Sequence, residues 1–534
     1  MAETRWWRGA VIYQIYPRSF ADANGDGVGD LAGILQHLPY VAALGVDGIW
    51  LSPVFTSPMR DFGYDVADYR AIDPLFGTIE DFDALVAACH RSGLKIIIDQ
   101  VYSHSSSDHP WFQASRQART GPHADYYVWA DPRPDGTPPN NWLSVFGGGA
   151  WEWEPRRRQY FLHNFLVGQP DLNLHNPAVQ DEILAIARFW LDRGVDGFRL
   201  DVANFFTHDA LLRDNPPSGR ADAVKPYDMQ RHVYDRSRPE TLRFIARLRA
   251  VLDAYPDRMA VAEISSDNPV ARMAEYTSGP ARLHTAYSFI FLTGDLTASR
   301  VGRSVSRLRA EAPDAWPSWA FENHDVPRSL TRWAGTRPPQ KFARLLIALL
   351  TTLRGTAFLY QGQELGLPQA DLPFSALRDP EGITFWPAYK GRDGSRTPLP
   401  WTGEPPNAGF STGAPWLPIP PEHRPLSVAA QEAEPESLLH WVRRFLAWRR
   451  AKPALCIGEI RFVDLPSPLL GFTRGEGAEG FTLIFNLGEA DETLAWPGAA
   501  PSIAFDLGAV WAPGALSLPV GAGALLVGTA KQKS

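Results

Sequence analysis

Three acidic residues in this chain stand where short apolar runs end: Asp201 near the close of Val195 to Val202, Glu263 in Met259 to Ile264, and Asp325 just after Trp319 to Glu322. Arg199 and Asp201 are two apart on an extended run, so their side chains share one face. A buried carboxylate beside a fixed cation stays ionised, which suits a nucleophile; an ion pair that merely closes a strand end is the alternative for these two residues alone. Hydrolysis of an acetal with retention needs one carboxylate nucleophile and one protonated carboxylic acid about 5 Å away. A third, fixed carboxylate stabilises the oxocarbenium-like transition state. Three acids at separate strand ends fit that chemistry better than chance salt bridging.

Positioning them calls for a framework that brings strand ends together. From Val11 the chain alternates short β-branched or aromatic runs with longer amphipathic ones, the pattern of βα units on a parallel sheet. The strands expected are Val11 to Ile15, Gly48 to Ser52, Lys95 to Val101, Val195 to Val202, Met259 to Ile264, Tyr287 to Leu292, Trp319 to Glu322 and Ala357 to Tyr360. The clearest helices are Ile79 to Ser92, Val179 to Arg193, Pro239 to Ala254, Thr297 to Ala312 and Pro339 to Arg354. Eight such units close into a (β/α)8 TIM barrel, whose active site lies at the C-terminal ends of the strands. The barrel is assigned to 1–103 and 175–455. Residues 104–174, rich in Trp, Pro, Gly and Asn, form an inserted domain after the third strand, and 361–436 a long loop region after the eighth. From 456 to 534 the texture changes to alternating strands ending in ALLVGTA, read as a C-terminal antiparallel β domain.

A second constellation is DANGDGVGD, Asp22 to Asp30. Asp22, Asn24, Asp26 and Asp30 offer oxygens at the spacing a hard cation takes, but Gly33 stands where an EF-hand needs Glu, so that motif fails. An Asx-rich turn without metal remains the alternative.

Composition narrows the function. The net charge of −7 argues against nucleic acid as a partner. Only Cys89 and Cys456 occur, without CxxC spacing, which leaves neither a disulfide framework nor a thiolate metal site. The start of the chain lacks a basic-then-apolar leader, and the longest uncharged apolar run, Leu345 to Leu353, is too short to span a bilayer, so a cytoplasmic protein without membrane partners is expected. With 19 Trp, 16 Tyr and 28 Phe, the chain is rich in flat rings that suit sugar faces.

IIIDQVYSH (Ile96 to His104), GFRLDVAN, AVAEIS (Ala260 to Ser265) and FENHD (Phe321 to Asp325) resemble, in order, the four signature segments of glycoside hydrolase family 13, the α-amylase family. QPDLN (Gln169 to Asn173) resembles the fifth segment of its oligo-1,6-glucosidase and α-glucosidase branch, and AVIYQIYPRSF, DFGYD (Asp61 to Asp65) and GRDGSRTPLPW (Gly391 to Trp401) extend the match over nearly the whole chain. The resemblance implies Asp201 as nucleophile, Glu263 as acid/base and Asp325 as transition-state stabiliser. It implies that Arg199 orients Asp201, and that Asp61, Tyr64, His104, Gln169, His324 and Arg396 grip the glucosyl ring. An ion pair of Asp61 with Arg396 closing the pocket would make the enzyme exo-acting. Phe146, Phe165 and Phe205 are candidates for the outer wall, with packing between insert and barrel as the alternative. By the same resemblance the Val28 carbonyl joins Asp22, Asn24, Asp26 and Asp30 around a structural Ca2+ or Mg2+ with no organic cofactor, and Val202 leans the enzyme toward α-1,6 linkages.

The activity this implies is a retaining α-glucosidase acting on short α-1,4- and α-1,6-glucosides as a monomer or weak homo-oligomer, with transglucosylation as a side reaction. A sucrose isomerase on the same fold would carry RLDRD, of which only Leu377 to Asp379 survives. A non-catalytic transporter heavy chain would have lost the carboxylates, and this chain keeps all three.

Overall fold

The computed structural model describes residues 5–496, 500 and 502–528. Eight parallel strands form its centre: β1 (Val11–Ile15), β2 (Gly48–Leu51), β3 (Lys95–Gln100), β4 (Gly197–Leu200), β5 (Met259–Ile264), β6 (Thr285–Ser288), β7 (Ser318–Ala320) and β8 (Thr356–Tyr360). Ladders run in parallel from β7 through β8, β1, β2, β3, β4 and β5 to β6. The parallel bridge Ala286 to Pro317 joins β6 to the start of β7 and closes the ring. Alternation along each strand sorts the side chains: Ile12, Trp50, Ile97, Val261, Tyr287, Ala320 and Phe358 pack together in one cluster. Their neighbours, such as Tyr13, Ile96 and Ile98, belong to the larger core that also holds the helix residues. The chain is a TIM barrel.

The helices carry local start signals. Ile79–Arg91 begins with a capping box between Thr78 and Asp81, and Pro177–Asp192 has Asn176 as its cap with proline in the first turn, where a missing N–H costs nothing. The sixth strand departs from expectation. It runs Thr285–Ser288 rather than Tyr287 to Leu292, because pairing Val261 with Thr285 and Glu263 with Tyr287 fixes its register on β5. The apolar run Phe289 to Leu292 is instead a turn beyond the strand end, and Phe289 faces the cavity described below.

Two interruptions matter to the site. Between β3 and its helix, an antiparallel sheet of Trp129–Ala130, Trp151–Glu154 and Gln159–Leu162 is pinned at its stem by the bridge His104 to Asp171. After β8 come short turns and helices, including Pro380–Phe385 and the 3-10 turn Asp393–Ser395. Toward the C-terminus, a five-stranded antiparallel sheet and a three-stranded one enclose Leu469, Ile484, Leu516, Leu518, Ala524 and Leu526. The last two residues of ALLVGTA lie outside the described residues. Among the described residues, no helix is long and apolar enough to cross a membrane.

Candidate active site

Each acid reaches the C-terminal rim by a different route. Asp201 follows β4 directly, Glu263 is the penultimate residue of β5, and Asp325 sits five residues past β7. They meet around one cavity of about 430 Å³, lined also by Asp61, Tyr64, His104, Phe146, Phe165, Val202 and Phe205. Phe165, from the insert, lies against Phe146 at 5.8 Å, Phe205 at 5.4 Å and His104 at 5.1 Å. Gln169, Arg199, His324 and Arg396 do not line the cavity and stand behind its wall.

Arg199, wholly buried, joins the site. Its Nη1 donates to Asp99 and Asp201 at 2.7 Å each, and its Nη2 pairs with Glu263 at 2.5 Å. One rigid guanidinium thus keeps Asp201 and Glu263 adjacent, with its face over Trp50. Burial raises the pKa of both carboxyls, against the pull of Arg199, to about 7. Three carboxylates around one cation cannot all ionise freely, so Asp201 and Glu263 titrate as a unit that holds a proton near neutrality. Val202 adds a constraint: it is β-branched yet left-handed, with φ 35 and ψ 50, and its N–H donates to Glu263 at 3.3 Å. Backbone strain of this kind persists where the surroundings over-determine it.

Asp325 has the opposite setting. Burial alone would raise its pKa, but neighbouring cations outweigh it and hold the carboxyl well below the usual range. Arg396 donates to it at 2.9 Å and Arg392 at 3.4 Å. His324 is itself kept neutral by burial, so at neutral pH the arginines supply the charge. Its tautomer follows from its partners: the Gln14 amide donates to Nδ1 at 2.8 Å, leaving Nε2–H facing Tyr64 Oη at 2.6 Å and Asp325 at 3.2 Å. Tyr64 in turn donates to Asp99 at 3.0 Å. Gln169 donates to Asp61 at 3.1 Å from behind the wall and lies 3.2 Å from the ring of His104, which burial keeps neutral with its pKa pushed down to about 3.

The expected pairing of Asp61 with Arg396 is corrected. Asp61 pairs with Arg392 at 2.7 Å, while Arg396 is turned away onto Asp325 and the His324 carbonyl. The 3-10 turn Asp393–Ser395 separates the two arginines and sends them in different directions. Arg392 is held by Asp379, whose carboxyl accepts from its backbone and side chain, and it lies over Phe146. Gly391 permits this: its φ is +77, and a Cβ there would come within 2.5 Å of Asp379 Oδ2. Arg392, Asp99 and Asp379 were missed in the sequence, although RDGSR contains the first, IIIDQ the second and Leu377 to Asp379 the third. Also missed were Lys225, Tyr227, Arg236, Glu381 and Tyr389, which line the cavity from the connections after β4 and β8 with no pattern to mark them.

The Asp22 to Asp30 loop lines none of this cavity. Asp22 accepts from the N–H groups of Gly25 and Gly27, Asn24 from Asp26, Asp26 from Val28, and Asp30 caps the helix Leu31–Ala43. Among the described residues, no three His, Cys, Asp or Glu side chains gather as a metal cluster. The donors are nonetheless all hard oxygens, the class a Ca2+ or Mg2+ ion takes.

The description "Alpha amylase, catalytic domain" matches residues 14–458. The chain belongs to the α-amylase family. Within it, this member is 56% identical over 502 residues to a probable α-glucosidase of Rhizobium meliloti (strain 1021), covering 92% of this chain and 91% of that one. It is 39% identical over 530 residues to an oligo-1,6-glucosidase of Heyndrickxia coagulans, covering 91% and 93%. The crystal structure of the α-glucosyl transfer enzyme XgtA superposes with a TM-score of 0.95 at 54% identity, covering 99% of this chain and all of that one.

Proposed function

We propose that this member of the α-amylase family is an exo-acting, retaining α-glucosidase that releases α-glucose from short α-1,4- and α-1,6-glucosides. The observation that carries the reading is Arg199 holding Asp201 and Glu263 side by side in a pocket whose wall also contains the Asp61 to Arg392 pair. In the mechanism proposed, Glu263 gives its proton to the glycosidic oxygen as the C1–O bond breaks, and Asp201 attacks C1 from the other face to form a glucosyl ester. Glu263 then takes a proton from water, which attacks C1 and frees Asp201 with α-glucose as product. Asp325, ionised and tied to Arg396, lowers the energy of the positive sugar between the two steps. The reaction needs no organic cofactor. The name and likeness of the XgtA structure support glucosyl transfer to a second sugar as a side reaction.

The test is early NMR of the products from maltose and isomaltose, with α-glucose expected first from both. Release of β-glucose would sink the mechanism, and inertness toward isomaltose the linkage range. The division into 1–103 with 175–455, 104–174 and 456–534 as barrel, insert and C-terminal domains belongs to the same proposal.

The spacing of Asp22, Asn24, Asp26 and Asp30, with the Val28 carbonyl, supports a structural Ca2+ or Mg2+ site. A carboxylate oxygen that accepts one N–H keeps a second lone-pair site for an ion. No step of the reaction runs through it. A chelator should lower the melting temperature before it lowers initial rates, and instant inhibition at unchanged stability would remove the assignment.

A further inference from the structure

The register of β6 on β5 pairs Tyr287 with Glu263, and partners on adjacent parallel strands point to the same face, so the phenol lies beside the carboxyl inside the barrel. The Tyr287 hydroxyl donates to Glu263 Oε1 at 3.1 Å and accepts from Arg199 Nε at 3.1 Å. Tyr287 stands behind the cavity wall, only 1% exposed, with its ring against Trp50 at 6.1 Å and Phe358 at 5.7 Å. A hydroxyl that accepts from a cation is polarised and becomes a stronger donor. The charged groups facing Glu263 offer no substitute for it. Asp201, Asp325 and Asp99 only accept when ionised, and Arg199 Nη2 and the Val202 N–H are both on Oε2. Among the described residues, Tyr287 is the one donor to Oε1.

We propose that Tyr287 is a positioning residue for the acid/base: its hydroxyl, polarised by Arg199, fixes Oε1 and stabilises the carboxylate that Glu263 becomes once its proton has gone. Tyr287 touches no reacting atom and keeps its own proton throughout. As Glu263 protonates the leaving oxygen, the C1–O bond breaks and Asp201 bonds to C1. The Tyr287 O–H then faces a full negative charge, where a hydrogen bond is stronger than on the neutral acid. In the second step water returns a proton to Glu263 as its oxygen bonds to C1 and the bond to Asp201 breaks. The contact therefore favours the form of Glu263 that acts as base, and the acid form is lost earlier as pH rises. A phenylalanine at this place would fill the same space and leave Oε1 and Arg199 Nε unpartnered. The inference rests on the α-glucosidase reading.

The experiment measures kcat and KM against pH on maltose and α-glucosyl fluoride for the native enzyme, Tyr287→Phe and Tyr287→fluorotyrosine. Removing a donor from the ionised form raises a carboxyl pKa, so Tyr287→Phe should move the alkaline limb of the maltose kcat/KM profile up by about one pH unit. The fluorinated ring is a more acidic phenol and a stronger donor, and should move that limb down. Below the limb, Tyr287→Phe should lower kcat on maltose about tenfold with KM within about twofold. On α-glucosyl fluoride, whose leaving group needs little protonation, kcat/KM should fall by less than about threefold. The fluorinated variant keeps both hydroxyl and packing, so it reads the bond even where Tyr287→Phe destabilises the barrel. An alkaline limb that stays in place, or moves the same way in both variants, would overturn the inference. Equal losses on maltose and the fluoride, the mark of a structural role alone, would do the same. Native inactivity on both substrates would overturn the parent reading as well, an outcome visible before any variant is made.

Discussion

The cavity has two ionic regions built from the same residue types in different ratios. Around Arg199, three carboxylates (Asp99, Asp201 and Glu263) share one guanidinium. Around Arg392 and Arg396, the three carboxylates Asp61, Asp325 and Asp379 share two. Excess acid in the first lets burial win, and Asp201 and Glu263 are raised to about 7. In the second, burial is overcome for Asp379, which the arginines bring down to about 2, and for Asp325. Asp61 is the exception, raised because its burial outweighs Arg392 and Arg396. One region can therefore exchange a proton near neutrality, and the other, Asp61 apart, holds fixed charge.

The largest effect should come from the proton-exchanging region. Asp201→Asn is expected to lower kcat by at least about 10⁴-fold with the fold intact by circular dichroism. Glu263→Gln should stop maltose turnover yet still form a glucosyl ester from α-glucosyl fluoride, whose leaving group needs little protonation. Normal maltose hydrolysis by Glu263→Gln would mean the two regions do not differ in the way described.

A smaller loss is expected in the fixed-charge region. Arg392→Lys keeps a cation but loses the fork that reaches Asp61, Asp379 and Asp325 together, so kcat/KM on maltose should fall about 100-fold with KM rising more than kcat falls. A fall confined to kcat would instead place Arg392 with the proton-exchanging group.

The smallest effects are in stability, and here the two regions should differ in sign. Glu263 is raised above its unfolded value, so its contribution is full at low pH and is lost as pH rises through about 7. Asp379 is depressed, so its contribution is present above about 4 and is lost as pH falls toward 2. Glu263→Gln should accordingly raise the melting temperature at pH 8 by roughly 1 to 3 °C, and Asp379→Asn should lower it there while narrowing the difference between pH 8 and pH 3. Melting curves at the two pH values read both signs.

Much of the site was legible because its signals are local. Strands and helices follow from periodicity, and Asp201, Glu263 and Asp325 sit at or just past strand ends whose position the apolar runs fix. The sequence by itself therefore determined the barrel, the rim and the three acids that meet there. It did not determine partners. Arg392 and Arg396 are four residues apart in one motif, and only the turn between them and the path of the loop decide which meets Asp61, 331 residues from Arg392. Tyr227 and Lys225 come from a loop without periodicity, so nothing local marks them as cavity wall. The proton shared by Asp201 and Glu263 is likewise a property of the assembled site, since desolvation and the count of cations within reach exist only once strands distant in sequence have closed the ring.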